Sequence, residues 1–271
     1  MTRYVRTALA VAVVLAAAMT AHAADSRLVS IKTPRGVEQA FVLITPAKPL
    51  ASVIVFAGGH GGLGLRSAKS MRWGASNFVV RTRDMLAAEG FTVAVVDAPS
   101  DHRKGMNAGF RISQDHARDI AAVAGYLKKQ ADIPVWLLGT SMGTFSAAKG
   151  AIIGRNVDGL VLTSTVTHAR RSWKKIARRF PDAVASLNLD HVTVPTLIVA
   201  HAKDGCAESP PSGAAKLKAR LTKAATVEVV MLEGGKRPKS KACEALAQHG
   251  YYGIEKQAIA EIAKFIKANT K

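Results

Sequence analysis

From residue 52 to its end, the chain alternates short apolar runs with segments of helical period, and this alternation narrows its fold more than any other feature. The runs SVIVFAGG (52–59) and FTVAVVDAP (91–99) are rich in β-branched residues and lack polar alternation, as in strands covered on both faces. PVWLLG (134–139), DGLVLTS (158–164), VPTLIVA (194–200) and TVEVVML (226–232) repeat the pattern. Between them, one helix is expected from a cap at Ser76 through Phe78, Met85 and Leu86 to Gly90. A second opens at Ser113 with His116, Ile120, Val123 and Leu127 on one face, and a third runs from Met142 to Ile153 and stops at Gly154. Ile254, Ala258, Ile259, Ile262, Phe265 and Ile266 give the last helix a single apolar face. Strand and helix in alternation predict a mostly parallel, doubly wound α/β sheet with right-handed crossovers. Residues 28–45 (within RLVSIKTP and AFVLITP) read as an antiparallel hairpin at the sheet edge, turning at Arg35-Gly36.

The first 23 residues read differently. Arg3 and Arg6, an apolar run from Ala8 to Met19, and Ala21-His22-Ala23 form the three parts of a secretory leader, with cleavage expected after Ala23; an uncleaved N-terminal anchor is the alternative. No later stretch approaches the roughly 20 apolar residues of a membrane helix, so residues 24–271 are expected as one exported, soluble domain, periplasmic or secreted. Hydrophobic residues make up 48% of the chain, ample for one packed core. Losing Arg3 and Arg6 with the leader lowers the formal charge from +19 to +17, a balance that favours anionic partners. Nucleic acid is not expected, because no binding module accompanies the charge. Cys206 and Cys243 are an even pair in a chain bound for an oxidising compartment, which predicts a disulfide, with two buried free thiols as the alternative.

The chemistry centres on Gly139-Thr140-Ser141-Met142-Gly143, placed between a buried strand and a helix. In that context GxSxG describes a turn too sharp for side chains two positions before and after the serine, with Ser141 held out at a helix N-terminus. Alone, the pattern is also ordinary helix capping. A serine hydroxyl needs a general base, and the base an orienting carboxylate. Asp204 follows the strand VPTLIVA and His249 follows TVEVVML, so Ser, Asp and His come in chain order at strand ends that gather on one edge of a parallel sheet. Asp97 also ends a strand, but it precedes the serine and fits the acid role poorly. Gly58-Gly59-His60-Gly61-Gly62 follows the first buried strand, where an oxyanion donor is needed beside the N–H of Met142; Gly59 is the first candidate and His60 the next. Of the other histidines, His116 and His201 read as structural.

From GGHGG through DAPSD, GTSMGT, HAKDGC and HGYYG, the sequence resembles the α/β-hydrolases, and within them small exported bacterial serine hydrolases of the esterase kind. The resemblance implies carboxyl-ester hydrolysis through an acyl-enzyme on Ser141, a small-molecule ester as substrate, and neither cofactor nor metal. Thioesterases and peptidases use the same triad, and a non-catalytic binding protein on the same scaffold is the rival from another class. The stretch between the nucleophile helix and Asp204 is too short for a full cap domain. Within it, a lid-like segment over about 165–190 carries Arg170, Arg171, Lys174, Lys175, Arg178 and Arg179 at helical spacing, interleaved with apolar residues. Pro181 is expected to end this basic helix. Trp173 and Phe180 are the candidates to roof the substrate pocket, and the cations face either solvent or an anionic surface.

Overall fold

The structure is a computed structural model and describes residues 24–270; the leader expected over 1–23 lies outside the described residues. In chain order the strands are β1 (Asp25–Lys32), β2 (Glu38–Thr45), β3 (Ala51–Phe56), β4 (Phe91–Val96), β5 (Val135–Thr140), β6 (Gly159–Thr163), β7 (Thr196–His201) and β8 (Val227–Leu232). The helices are α1 (Phe78–Arg81), α2 (Arg83–Ala88), α3 (Ala108–Arg111), α4 (Gln114–Gln130), α5 (Gly143–Ile153), α6 (Lys174–Arg179), α7 (Gly213–Arg220) and α8 (Glu255–Ala268). One sheet joins all eight strands in the order β1-β2-β4-β3-β5-β6-β7-β8. It is parallel from β4 to β8 and antiparallel where β1 pairs β2 and β2 pairs β4.

Every residue of β3, β4, β5, β6 and β7 is buried, so the apolar runs are indeed the centre of the sheet. Successive side chains point to opposite faces, and this divides the core in two. Ile54, Phe56 and Leu137 pack with Phe145 of α5 and Ile120, Val123 and Leu127 of α4. Val53, Val55, Trp136 and Leu138 pack with Phe78, Leu86 and the apolar face of α8, including Ile262 and Ile266. Each such side chain taken fully out of water contributes about 1.5–3 kcal/mol, so both faces must be covered for the sheet to persist.

The hairpin at the edge forms as expected, and the bidentate contacts of Arg35 with Asp101 and with buried Asp119 tie its turn to the body. Ser113 caps α4 by accepting the N–H of His116 at 3.1 Å. Two helices differ from expectation. The segment after Asn77 breaks into α1 and α2 at Thr82, whose backbone leaves helical geometry (φ −101°, ψ 6°) while its hydroxyl donates to the Phe78 carbonyl at 2.7 Å. The basic helix shrinks to the six residues of α6. Arg170, Arg171, Lys174 and Lys175 lie where its first turns would be, and cations there oppose the positive end of the helix dipole. Among the described residues, no helix is long and apolar enough to cross a membrane.

Candidate active site

The carboxyl ends of the parallel strands supply the groups of the site, beginning with β5, which runs directly into Ser141. That serine holds a left-handed backbone with φ +52°, a conformation an L side chain keeps only when its surroundings impose it. Its N–H donates to the Thr163 carbonyl at 3.0 Å, and its carbonyl accepts from the N–H of Thr144 at 2.9 Å. The flanking glycines are sterically required. A Cβ at Gly139 would stand 2.5 Å from the Gly143 carbonyl oxygen, and one at Gly143 would run into the Phe56 carbonyl of β3. The turn can therefore seat α5 against β3 and β5 only with hydrogen at both positions.

Beyond β7, the N–H of Asp204 donates to the His201 carbonyl at 2.9 Å, and the N–H of Cys206 donates to Asp204 Oδ1 at 2.9 Å. The other carboxylate oxygen lies 2.8 Å from His249 Nδ1, with both residues buried. When Nδ1 donates to Asp204, Nε2 presents its lone pair. Nε2 is buried and has no hydrogen-bond partner among the described residues. His249 sits on a short turn, Gln248–Gly250, and its carbonyl accepts the Ser164 hydroxyl at 2.7 Å. Tyr251, fully buried, donates its hydroxyl to the Val199 carbonyl at 2.9 Å and accepts the N–H of Ser164 at 3.0 Å, pinning the turn to the ends of β6 and β7. Burial raises the Tyr251 hydroxyl well above the usual phenol range, so it stays a neutral strut.

The glycine loop after β3 packs on the same turn, since a Cβ at Gly58 would be 3.0 Å from Ser141 Cβ. Among the described residues, the N–H groups of Gly59, His60 and Met142 donate to no protein acceptor. Behind the loop lies Arg111, fully buried and, among the described residues, without a carboxylate partner. Its guanidinium donates to the carbonyls of Ala57 and Gly59, each at 3.2 Å, and to Ser146 Oγ of α5 at 2.9 Å. Only a glycine at 61 leaves room for it. Desolvation pulls its pKa down to about 9. No described peptide bond is cis, so with the Gly59 carbonyl turned to Arg111 the N–H of His60 points the opposite way. Burial, with Arg111 nearby, drives neighbouring His116 down to about 3, so it stays neutral against Ser146 Oγ at 2.9 Å. Asp97 braces the following residues by accepting the N–H groups of Leu63, Gly64 and Leu65 at 2.6–3.2 Å.

A cleft of about 440 Å3 is lined by Gly59, His60, Ser141, Met142, Trp173 and the Cys206–Cys243 disulfide. The bond spans 37 positions and joins the loop of Asp204 to the segment before His249. Glu208, also at the cleft, pairs with Arg170 at 2.6 Å. Phe180 stands apart from Ser141: it turns with the C-terminal end of α6 into a different cleft, because only six residues of the segment are helical. His201 braces the Asp204 loop, with Nε2 3.0 Å from the Gly234 carbonyl and Nδ1 accepting the N–H of Lys203. Arg111 escaped the sequence reading because a cation in GFRIS looks like surface. The one signal for it was the third glycine of the loop, Gly61.

Solved structures share this fold. An esterase from Pyrococcus furiosus, Pf2001, superposes with a TM-score of 0.62 at 15% identity, over 90% of this chain and 93% of its own. A dienelactone hydrolase from Anabaena variabilis gives 0.62 at 15% identity, over 91% and 99%. XC6422 from Xanthomonas campestris, described as an α/β serine hydrolase without a lid, gives 0.60 at 14%, over 90% and 94%. The chain has the α/β-hydrolase fold. No protein-family model and no curated protein sequence matches it. In this fold the carboxyl edge of the sheet is where ligands gather, and it is the edge that carries Ser141, Asp204 and His249 here.

Proposed function

We propose that the protein is a serine hydrolase that cleaves carboxylic esters through an acyl-enzyme on Ser141. The observation that carries this reading is the buried His249–Asp204 pair at 2.8 Å, whose free Nε2 lies on the same sheet edge as a serine forced into the left-handed region. Ser141 Oγ attacks the ester carbonyl carbon while its proton passes to His249 Nε2, and Asp204 holds the imidazole and steadies its positive charge. The oxyanion is received by the N–H of Met142 and by the Gly59–His60 stretch, where the outward-turned N–H of His60 is a second donor beside that of Gly59. His249 returns the proton to the departing alcohol. A water, deprotonated by the same imidazole, then releases the acid and restores Ser141. Esterases and dienelactone hydrolases among the structural neighbours support ester over amide chemistry. Trp173 at the cleft supplies an apolar wall for the substrate. The leader motif and the disulfide together support export.

The test is direct. Wild type should take a fluorophosphonate on Ser141 and turn over p-nitrophenyl acetate, and Ser141→Ala should lose both, with turnover down by at least about 10³-fold. Folded wild-type protein that neither labels nor turns over would instead make it a binding protein on a hydrolase scaffold.

A further inference from the structure

A second recess, of about 460 Å3, lies between α5 and α6 and shares no lining residue with the cleft at Ser141. Three cations converge on it: Lys149 from α5, and Lys175 and Arg179, one helical turn apart on α6. Its lining contains no acid, and among the described residues none of the three cations makes an ion pair. The Arg179 guanidinium lies 5.2 Å from the Phe180 ring centre and leaves its in-plane donors free. Beside the cations and the polar Ser113 and Asn188, the lining has an apolar patch in which Ile112, Ile176 and Phe180 are each only partly covered by protein. Lys149 is half-buried, and desolvation holds its ammonium below the usual lysine range with no counter-charge to restore it.

Like charges drawn together over a partly apolar surface repel one another and give up hydration, and a bound anion relieves both costs. An apolar group carried by that anion would cover the isoleucines and Phe180. The recess has the size of a small-molecule site, typically about 300–1,000 Å3, rather than the flatness of a membrane-docking face. We propose that this recess binds an amphipathic organic anion, a carboxylate or phosphate head on an apolar body, independently of the chemistry at Ser141.

Monomeric decanoate, titrated into the protein by calorimetry, is the probe. One equivalent should bind, with affinity falling as salt rises, and Lys175→Ala/Arg179→Ala should weaken it about tenfold or more, as expected for losing two cations at one site. Both side chains are exposed, so the double variant should keep the wild-type melting temperature. Lys104→Ala, at the Ser141 cleft, should leave decanoate binding intact. Four results would each overturn the proposal. Decanoate affinity could be indifferent to the double variant. Decanol could bind as tightly, which would make the site merely apolar. Inorganic phosphate could displace decanoate at equal concentration, which would make it a site for the head alone. Phosphatidylglycerol vesicles could capture the protein while decanoate does not bind, which would transfer the cations to a membrane surface.

Discussion

The two walls of the Ser141 cleft are built on opposite principles. The inner wall, the glycine loop and the nucleophile turn, is held from behind by buried polar groups: Arg111 on two carbonyls and Ser146, neutral His116, and Asp97 under the loop. The outer wall, residues 165–190 with the Cys206–Glu208 loop, has a six-residue helix with no buried residue, and among the described residues only Arg170 of the six cations of 170–179 is ion-paired. Buried Val166 and buried Ala183, Val184 and Ala185 anchor the two ends of residues 165–190 in the core, and the Cys206–Glu208 loop is tied covalently through Cys206–Cys243. Donors that stabilise charge must be aimed within fractions of an ångström, and buried hydrogen bonds do this where exposed charges cannot. The outer wall only has to bound the cleft.

The largest expected effect tests the covalent attachment. Cys206→Ser/Cys243→Ser, or reduction of wild type, should lower stability by about 3–4 kcal/mol, the chain-entropy value for a loop of this length. Denaturant unfolding followed by Trp fluorescence measures it, and an unchanged midpoint would mean that the outer wall is held by its packing instead. Next comes Arg111→Met. Releasing the Ala57 and Gly59 carbonyls should cost about 10²-fold in kcat on p-nitrophenyl acetate, the scale of one lost oxyanion donor, with KM little moved. A folded variant with reduced melting temperature but unchanged kcat would reduce Arg111 to a structural cation. Arg111→Lys, which keeps the charge but cannot span three acceptors, should recover only part of the rate.

Much of the inner wall was legible in the sequence and little of the outer wall was. GTSMG states its own geometry, because glycines at 139 and 143 answer to backbone atoms of β3 and α5 that any such turn must pass. Asp204 and His249 were readable from chain order and from the strands that precede them. The order β1-β2-β4-β3 was not, since periodicity reports which faces are buried and not which strands are neighbours. Arg111 and Asp97 were hidden because their roles depend on a loop that meets them only in the folded protein. In the outer wall the apolar spacing of 170–180 suggested a longer helix, yet the cations that made the segment conspicuous also oppose its N-terminal turns. Phe180 consequently left the site to which helical spacing had assigned it.

A smaller effect distinguishes the walls by pH. His116 has a folded pKa of about 3 against an ordinary value of 6.5, so between these values the unfolded chain takes a proton that the folded protein refuses. Stability should therefore be complete above pH 6.5 and fall as the pH drops towards 3, by about 1.4 kcal/mol per pH unit from this residue. His116→Gln, which keeps a partner for Ser146 but does not titrate, should show a flatter melting temperature between pH 7 and pH 5. Equal slopes would mean that the inner wall admits water and protons more freely than its burial implies.

The smallest effect belongs to the outer wall. Arg171 and Lys174 line neither cleft, make no ion pair among the described residues and are exposed. Reversing both to Glu should change stability by no more than about 0.5 kcal/mol and leave turnover of a neutral ester unchanged. Replacing two cations on the N-terminal side of α6 with acids should even lengthen the helix towards Arg170, visible as a small gain in helical circular dichroism. A loss of activity would mean that α6 must stay short for the cleft to open. The contrast between the walls would then lie in how much each is allowed to fold, rather than in how firmly each is held.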